Sequence, residues 1–320
     1  MVKITKRDSI KGKGMLFLTA LIWGTAFVAQ DAGSDYVGAF TFNTFRMFLA
    51  AAALFIVILF KEKVHSGKNQ LHFSNNEVVG GIFCGICLFA ASTLQQIGIS
   101  MYTENEAAAG KSGFISALYM VIVPLFGLFL HKKPSLSVCI SVVLATVGMY
   151  FLCIKSNFAI QTADVFVFLC AIAFAFHILV IDYYSPKTDP VKVSFVQFIV
   201  SGLLSLVCMA AFDGFGMAGI KNAMFPIFYA GVFSGAGAYT LQISGQKYAK
   251  PSVASIILSL ESVFAAITGA FFGERLTLRE IIGGALVFIA VLLTQIDFKS
   301  IKTEKRCTKS GHEKEKQVAR

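Results

Sequence analysis

Ten apolar stretches follow one another along this chain with only short polar links between them, at about residues 14–30, 37–60, 78–100, 110–130, 136–154, 163–184, 191–212, 223–246, 252–272 and 281–296. In hydrocarbon every backbone N–H and C=O must find its partner within the protein, so stretches of this length are read as membrane-crossing helices. Composition agrees: 56% hydrophobic residues, 14% charged residues and a mean hydropathy of +0.71 are too apolar for a soluble globule. The first stretch, around Trp23-Gly24, runs straight into the second without a small-residue cleavage site and is not read as a signal peptide. The expectation is an all-α integral membrane protein of ten transmembrane helices.

The ninth stretch holds the costliest residue. Glu261 lies midway along 252–272, among Ile, Leu, Ala, Val, Phe and Ser. A carboxyl facing lipid would cost several kcal/mol, so it has to point into the bundle. Ser255, Ser259, Ser262, Ala266, Gly269 and Gly273 recur at intervals of four and three and form a stripe where another helix can approach, and Glu261 borders it.

A second stretch answers the ninth. Phe114-Ile115-Ser116-Ala117-Leu118-Tyr119 aligns with Ile257-Leu258-Ser259-Leu260-Glu261-Ser262, and Thr93-Leu94-Gln95 and Thr240-Leu241-Gln242 precede them at similar intervals. The chain thus reads as one five-segment unit used twice, at 14–154 and 163–296, with a short head (1–13) and a basic tail (297–320). With the N-terminus inside, 22 of the 28 Lys and Arg fall on the inner side and five on the outer side, while Arg46 lies within a span. This positive-inside pattern puts both termini in the cytoplasm and, for the tail, suits a solvated or lipid-attracted segment better than nucleic-acid binding, despite the net charge of +10. Five spans per unit is an odd number, so the two copies insert with opposite orientation. That is the inverted-repeat plan of secondary transporters, with a central site near the midplane.

The residues expected to line that site are Trp23, Arg46, Tyr119, His177, Tyr239 and Glu261. Trp23, the single Trp, sits mid-span, where its indole either bonds a neighbouring helix or offers its face to a substrate. Arg46 is too deep to reach the interface, which leaves an internal ion pair, a carbonyl clamp or an anionic substrate group as its partner. His177 either makes one interhelical bond or titrates. Gln95 and Gln96 lie near the outer end of the third span and Gln242 and Gln246 near the inner end of the eighth, expected polar mouths unless they serve as interhelical bonds. Pro124 cannot donate to the Met120 carbonyl and is expected to kink the fourth span. Gly81, Gly85, Gly231 and Gly235 are expected packing seams.

Trp23-Gly24, Arg46, Gly113 to Tyr119 with Val123-Pro124, and Leu258 to Phe264 followed by Phe272-Gly273-Glu274-Arg275-Leu276 resemble the EamA-type members of the drug/metabolite transporter superfamily. The resemblance spans about residues 14–296. It departs at Glu261-Ser262, where family members usually carry Glu-Pro, so a helix break there is an open point. It implies a cavity built by spans 1 to 4 and 6 to 9 with spans 5 and 10 peripheral, and transport, often export, of amino acids or other small organic metabolites through a cell membrane of bacterial inner-membrane type. Coupling to a proton or another ion is left open. Two other classes compete: a lipid flippase or scramblase, against which the enclosed small-residue seams argue, and a non-transporting membrane sensor. An enzyme is not expected, since no nucleophile and base pair or metal cluster is visible. Nothing calls for a cofactor or metal: Cys84 and Cys87 form a CxxC within a span but have no third ligand nearby, and there is no phosphate-binding loop.

Overall fold

The computed structural model describes residues 5–66, 72–102, 108–129, 134–153, 160–214, 219–271 and 277–294. The His131-Lys132-Lys133 turn, the Gly273-Glu274-Arg275-Leu276 part of the family motif and the tail from 297 lie outside the described residues. The architecture is all-α. In chain order the helices are α1 (Lys6–Ser34), α2 (Ala39–Ser66), α3 (Asn75–Ser100), α4 (Ala108–Ser116), α5 (Tyr119–Phe129), α6 (Leu136–Cys153), α7 (Thr162–Tyr184), α8 (Pro190–Cys208), α9 (Ile220–Phe228), α10 (Thr240–Gln246), α11 (Pro251–Leu258), α12 (Glu261–Phe271) and α13 (Leu278–Leu293). Between α9 and α10 the chain continues through a wide π-helical stretch, Tyr229–Tyr239.

Local sequence explains where the helices start. Thr5 with Asp8, Ser74 with Glu77 and Thr277 with Glu280 form reciprocal caps, each side chain satisfying an amide that the first turn leaves unpaired. Asp189 caps α8, whose first residue is Pro190.

Among the described residues seven helical segments are long and apolar enough to cross a membrane: Lys6–Ser34, Ala39–Val64, Asn75–Ser100, Lys111–Phe129, Thr162–Lys187, Pro190–Asp213 and Pro251–Phe271. The remaining three expected stretches are helical but fall short of that measure. α6 and α13 are shorter apolar helices, and the eighth stretch is divided among α9, the π turns and α10. The chain is a multi-pass membrane protein.

Two expected spans are interrupted. The fourth breaks at Ala117-Leu118, between α4 and α5, and the ninth at Ser259-Leu260, between α11 and α12. Around both breaks amides bond three residues back: Leu118 to Ile115, Met120 to Ala117, Leu260 to Ile257 and Ser262 to Ser259. The fourth span also breaks nearly two turns before Pro124, and α5 continues through Pro124. No proline is needed at 262 for the ninth span to break.

The halves interlock. α1 packs on α12 and α7 on α4 and α5; α3 lies against α7 and α8; α1 and α2 lie against the π stretch; α2 lies against α8 and α6 against α13. Gly81 and Gly85 admit α8, and Gly231 and Gly235 admit α2, since a Cβ at any of them would meet the facing helix.

Candidate functional site

The central cavity is lined by Trp23, Ala26, Phe27 and Gln30 of α1, Arg46 of α2, Gln95 of α3, Tyr119 of α5, Phe174 of α7, Ser234 and Tyr239 of the π stretch, and Glu261 of α12. Its volume is about 30 Å³, room for water-sized occupants and not for a metabolite.

Glu261 opens α12 and Tyr119 opens α5, each the first residue after its break. The Tyr119 hydroxyl donates to Glu261 Oε1 at 3.0 Å, joining the two halves. The next residue reinforces the junction, as Ser262 Oγ donates to the Gly113 carbonyl at 2.8 Å. Gly24 lets α1 reach the same point: a Cβ there would lie 2.6 Å from the Glu261 carbonyl oxygen and 2.9 Å from the Ala265 nitrogen. Glu261 is 4% exposed, so its carboxyl belongs to the bundle interior.

Arg46 is 6% exposed. Its Nη1 donates to Gln30 Oε1 at 3.0 Å, and its guanidinium carbon lies 5.5 Å from the centre of the Phe42 ring. Among the described residues no carboxylate stands within ion-pair distance of it. The internal Arg46–Glu261 pair that sequence allowed is therefore not formed, because each group is engaged by a neutral neighbour on its own side of the cavity.

Trp23 makes the expected bond to a neighbouring helix and also lines the cavity. Its indole N–H donates to the Ser234 carbonyl at 3.4 Å, and its ring lies 4.7 Å from that of Tyr239 while lining the cavity. His177 is a correction: it does not line the cavity. It is wholly buried behind Tyr239, ring centres 5.9 Å apart, with Nε2 3.1 Å from Gln197 Oε1.

Of the two readings open for the glutamines, the structure has the interhelical one: they are buried between helices and do not form open mouths. Gln95 donates to Ser116 Oγ at 3.1 Å and lines the cavity, whereas Gln96 donates to the Gln30 carbonyl at 3.1 Å and Gln246 to the Ile178 carbonyl at 2.9 Å. Gln242 and Pro124 are buried away from the cavity lining. Residues that sequence reasoning passed over are Ala26, Phe27, Gln30, Phe174 and Ser234. Spacing could have found the first three, since they follow Trp23 by three, four and seven residues and share its helix face.

Both ends of the bundle carry polar contacts between halves. At one end Lys61 pairs with Asp189, Lys192 with Glu62 at 2.7 Å, and Glu77 Oε1 accepts the Asp189 amide at 3.1 Å. Asp189 lies between spans. Burial works to raise its carboxyl, but hydrogen bonds from Lys61 and the Val191 amide prevail and hold it below its ordinary value. At the other end Lys111 pairs with Asp164 at 2.9 Å, Tyr102 donates to Asp164 at 2.6 Å, and Asp213 accepts from the Thr41 amide and hydroxyl at 2.7 and 2.9 Å.

Comparison with known proteins follows the same outline. The model of the EamA-like transporter family matches residues 10–154 and again 161–296. An uncharacterized transporter of Archaeoglobus fulgidus is 31% identical over 290 residues, 88% of this chain and 84% of the relative. The Bacillus subtilis uncharacterized transporter YwfM is 25% identical over 292 residues, 90% of this chain and 95% of its own. A crystal structure matches with a TM-score of 0.70 over 88% of this chain and 96% of its own; at 15% identity that likeness speaks for the fold alone.

Proposed function

Because the chain belongs to the EamA-like transporter family, we propose that it is a secondary transporter that exports amino acids or other small organic metabolites across a cell membrane by alternating access. The observation that carries this reading is the meeting of two interrupted helices, one from each half, at Tyr119 and Glu261 on the wall of a small cavity that also holds Arg46, Trp23 and Tyr239. Interrupted helices facing across a repeat interface are how such carriers build a site at membrane depth, since irregular backbone is tolerated there only against protein or a cavity.

A ten-span inverted repeat is part of the proposal. Exchanging the halves maps the most extensive packed neighbours onto one another: span 1 with 9 becomes span 6 with 4, span 3 with 6 becomes 8 with 1, span 3 with 7 becomes 8 with 2, and the 2–7 and 5–10 contacts map onto themselves. This supports two equivalent units, 14–154 and 163–296, with spans 5 and 10 peripheral. The charge distribution supports cytoplasmic termini. A cavity too small for a metabolite corresponds to an occluded conformation, so passage requires the halves to move and the polar contacts at the two ends to part in turn.

The test is an untargeted comparison of metabolites released by cells making the protein and by cells making a Glu261→Leu variant at equal membrane abundance. Solutes that accumulate outside only with the wild type establish export; identical profiles overturn it.

A further inference from the structure

We propose that Arg46 is the carboxylate receptor of the central cavity, so that the substrate of this transporter bears a carboxylate. Arg46 lines the cavity, is almost wholly buried and has no carboxylate among the described residues within ion-pair distance. A guanidinium keeps its charge at any physiological pH, and an uncompensated cation at this depth is costly, so the site is built to receive an anion.

The geometry says which part of the group is reserved. Nη1 is occupied by the Gln30 side-chain amide oxygen at 3.0 Å, and the backbone carbonyl of Gln30 accepts from Gln96 Nε2 at 3.1 Å. The Phe42 ring faces the guanidinium carbon at 5.5 Å. Nε is buried and has no hydrogen-bond partner among the described residues. A neutral amide thus holds one corner of the planar group, while Nε, screened from water in this conformation, keeps its N–H unsatisfied. Two parallel N–H donors along one edge match the two oxygens of a carboxylate, a match that the single point charge of a lysine does not reproduce.

Glu261 sets a further condition, since it lines the same cavity and disfavours a bare anion. A carboxylate whose neighbouring atoms carry an ammonium or hydroxyl group satisfies both walls. Trp23, Tyr239 and Phe174 offer aromatic surface to the rest of the molecule.

The inference rests on the transporter reading only in calling the ligand a substrate, and binding tests it separately. The purified full-length protein is heated in detergent with L-leucine, L-phenylalanine, lactate or benzoate, each beside its primary amide. At least one acid should raise the unfolding temperature where its amide does not. Arg46→Lys should weaken that acid roughly tenfold or more, and Arg46→Gln should abolish its effect. Arg46→Lys keeps a cation in place, so it reports on binding even where Arg46→Gln yields little folded protein. Amides that act as well as acids, an acid effect that survives Arg46→Gln, or no acid effect across the panel would overturn the proposal. Acid-selective binding without any export would leave the carboxylate site standing and overturn the transport reading instead.

Discussion

Tyr119 and Glu261, 142 residues apart, each begin a helix after a break, and the Tyr119 hydroxyl donates to the Glu261 carboxylate at 3.0 Å. The contact decides what Glu261 can be. With no cation in ion-pair range among the described residues, replacing it strands no buried charge there, so Glu261→Gln, whose amide oxygen still accepts from Tyr119, is expected to fold with near wild-type yield. Transport measured against an imposed pH gradient in proteoliposomes is then a clean reading of its role. Unchanged transport and unchanged pH response in that variant would exclude both coupling and gating by Glu261.

The same pair allows a coupling energy to be measured. Tyr119→Phe removes one donor from a buried carboxyl and should cost about 1–3 kcal/mol in unfolding free energy. Combined with Glu261→Leu it should cost less than the sum of the two single changes, by about 0.5–3 kcal/mol. Additive losses would mean that the hydrogen bond does not join the halves.

Gly24 and Gly14 lie in one helix and predict opposite outcomes. At Gly24 a Cβ would press on the Glu261 carbonyl and the backbone of Ala265, which cannot yield as a flexible side-chain end could. Gly24→Ala should therefore destabilise by about 1–3 kcal/mol and disturb transport. Gly14 has nothing within 4 Å of such a Cβ, so Gly14→Ala should be neutral or stabilise by up to about 1 kcal/mol. Thermal unfolding of the two variants in the same detergent checks both.

Asp189 predicts the pH dependence of one end of the bundle. Its folded-state carboxyl titrates below its ordinary value, so the stability it contributes is complete above the ordinary carboxylate range and is lost as pH falls through the folded value, below about 4. Unfolding temperature should therefore drop more steeply toward acid in the wild type than in Asp189→Asn, which keeps a capping side chain but loses the charge paired with Lys61. Asp189→Ala, losing the cap as well, should be the least stable of the three at neutral pH.

His177 offers a contrast with the cavity residues. It lies behind Tyr239 and bonds Gln197, so His177→Leu should lower stability by leaving the buried Gln197 amide unsatisfied, without changing which solutes are carried. A changed solute profile at unchanged stability would return His177 to the site.

The sequence by itself determined the class of the molecule and the depth of its unusual groups. Apolar stretches long enough to span hydrocarbon must be helical there, and an Arg or Glu at their middle must face protein or water. Arg46, Glu261, Trp23, Tyr119 and Tyr239 are therefore legible as interior residues from their places in the spans alone. Helix period also holds the signal for Gln30, two turns on from Trp23. Tertiary structure alone decided who meets whom. Arg46 and Glu261 are complementary in charge, yet sequence does not encode their separation, and packing gave them Gln30 and Tyr119 instead. His177 reads as a cavity group from its span, but the rotation of α7 places it one layer back, behind Tyr239. The breaks at Ala117-Leu118 and Ser259-Leu260 carry no proline, because it is the close crossing of the two helices, through Ser262 on Gly113, that accompanies them. Propensity acts over a few neighbouring residues; these contacts join positions from 16 to 149 residues apart on different helices, and only the assembled bundle brings them within reach.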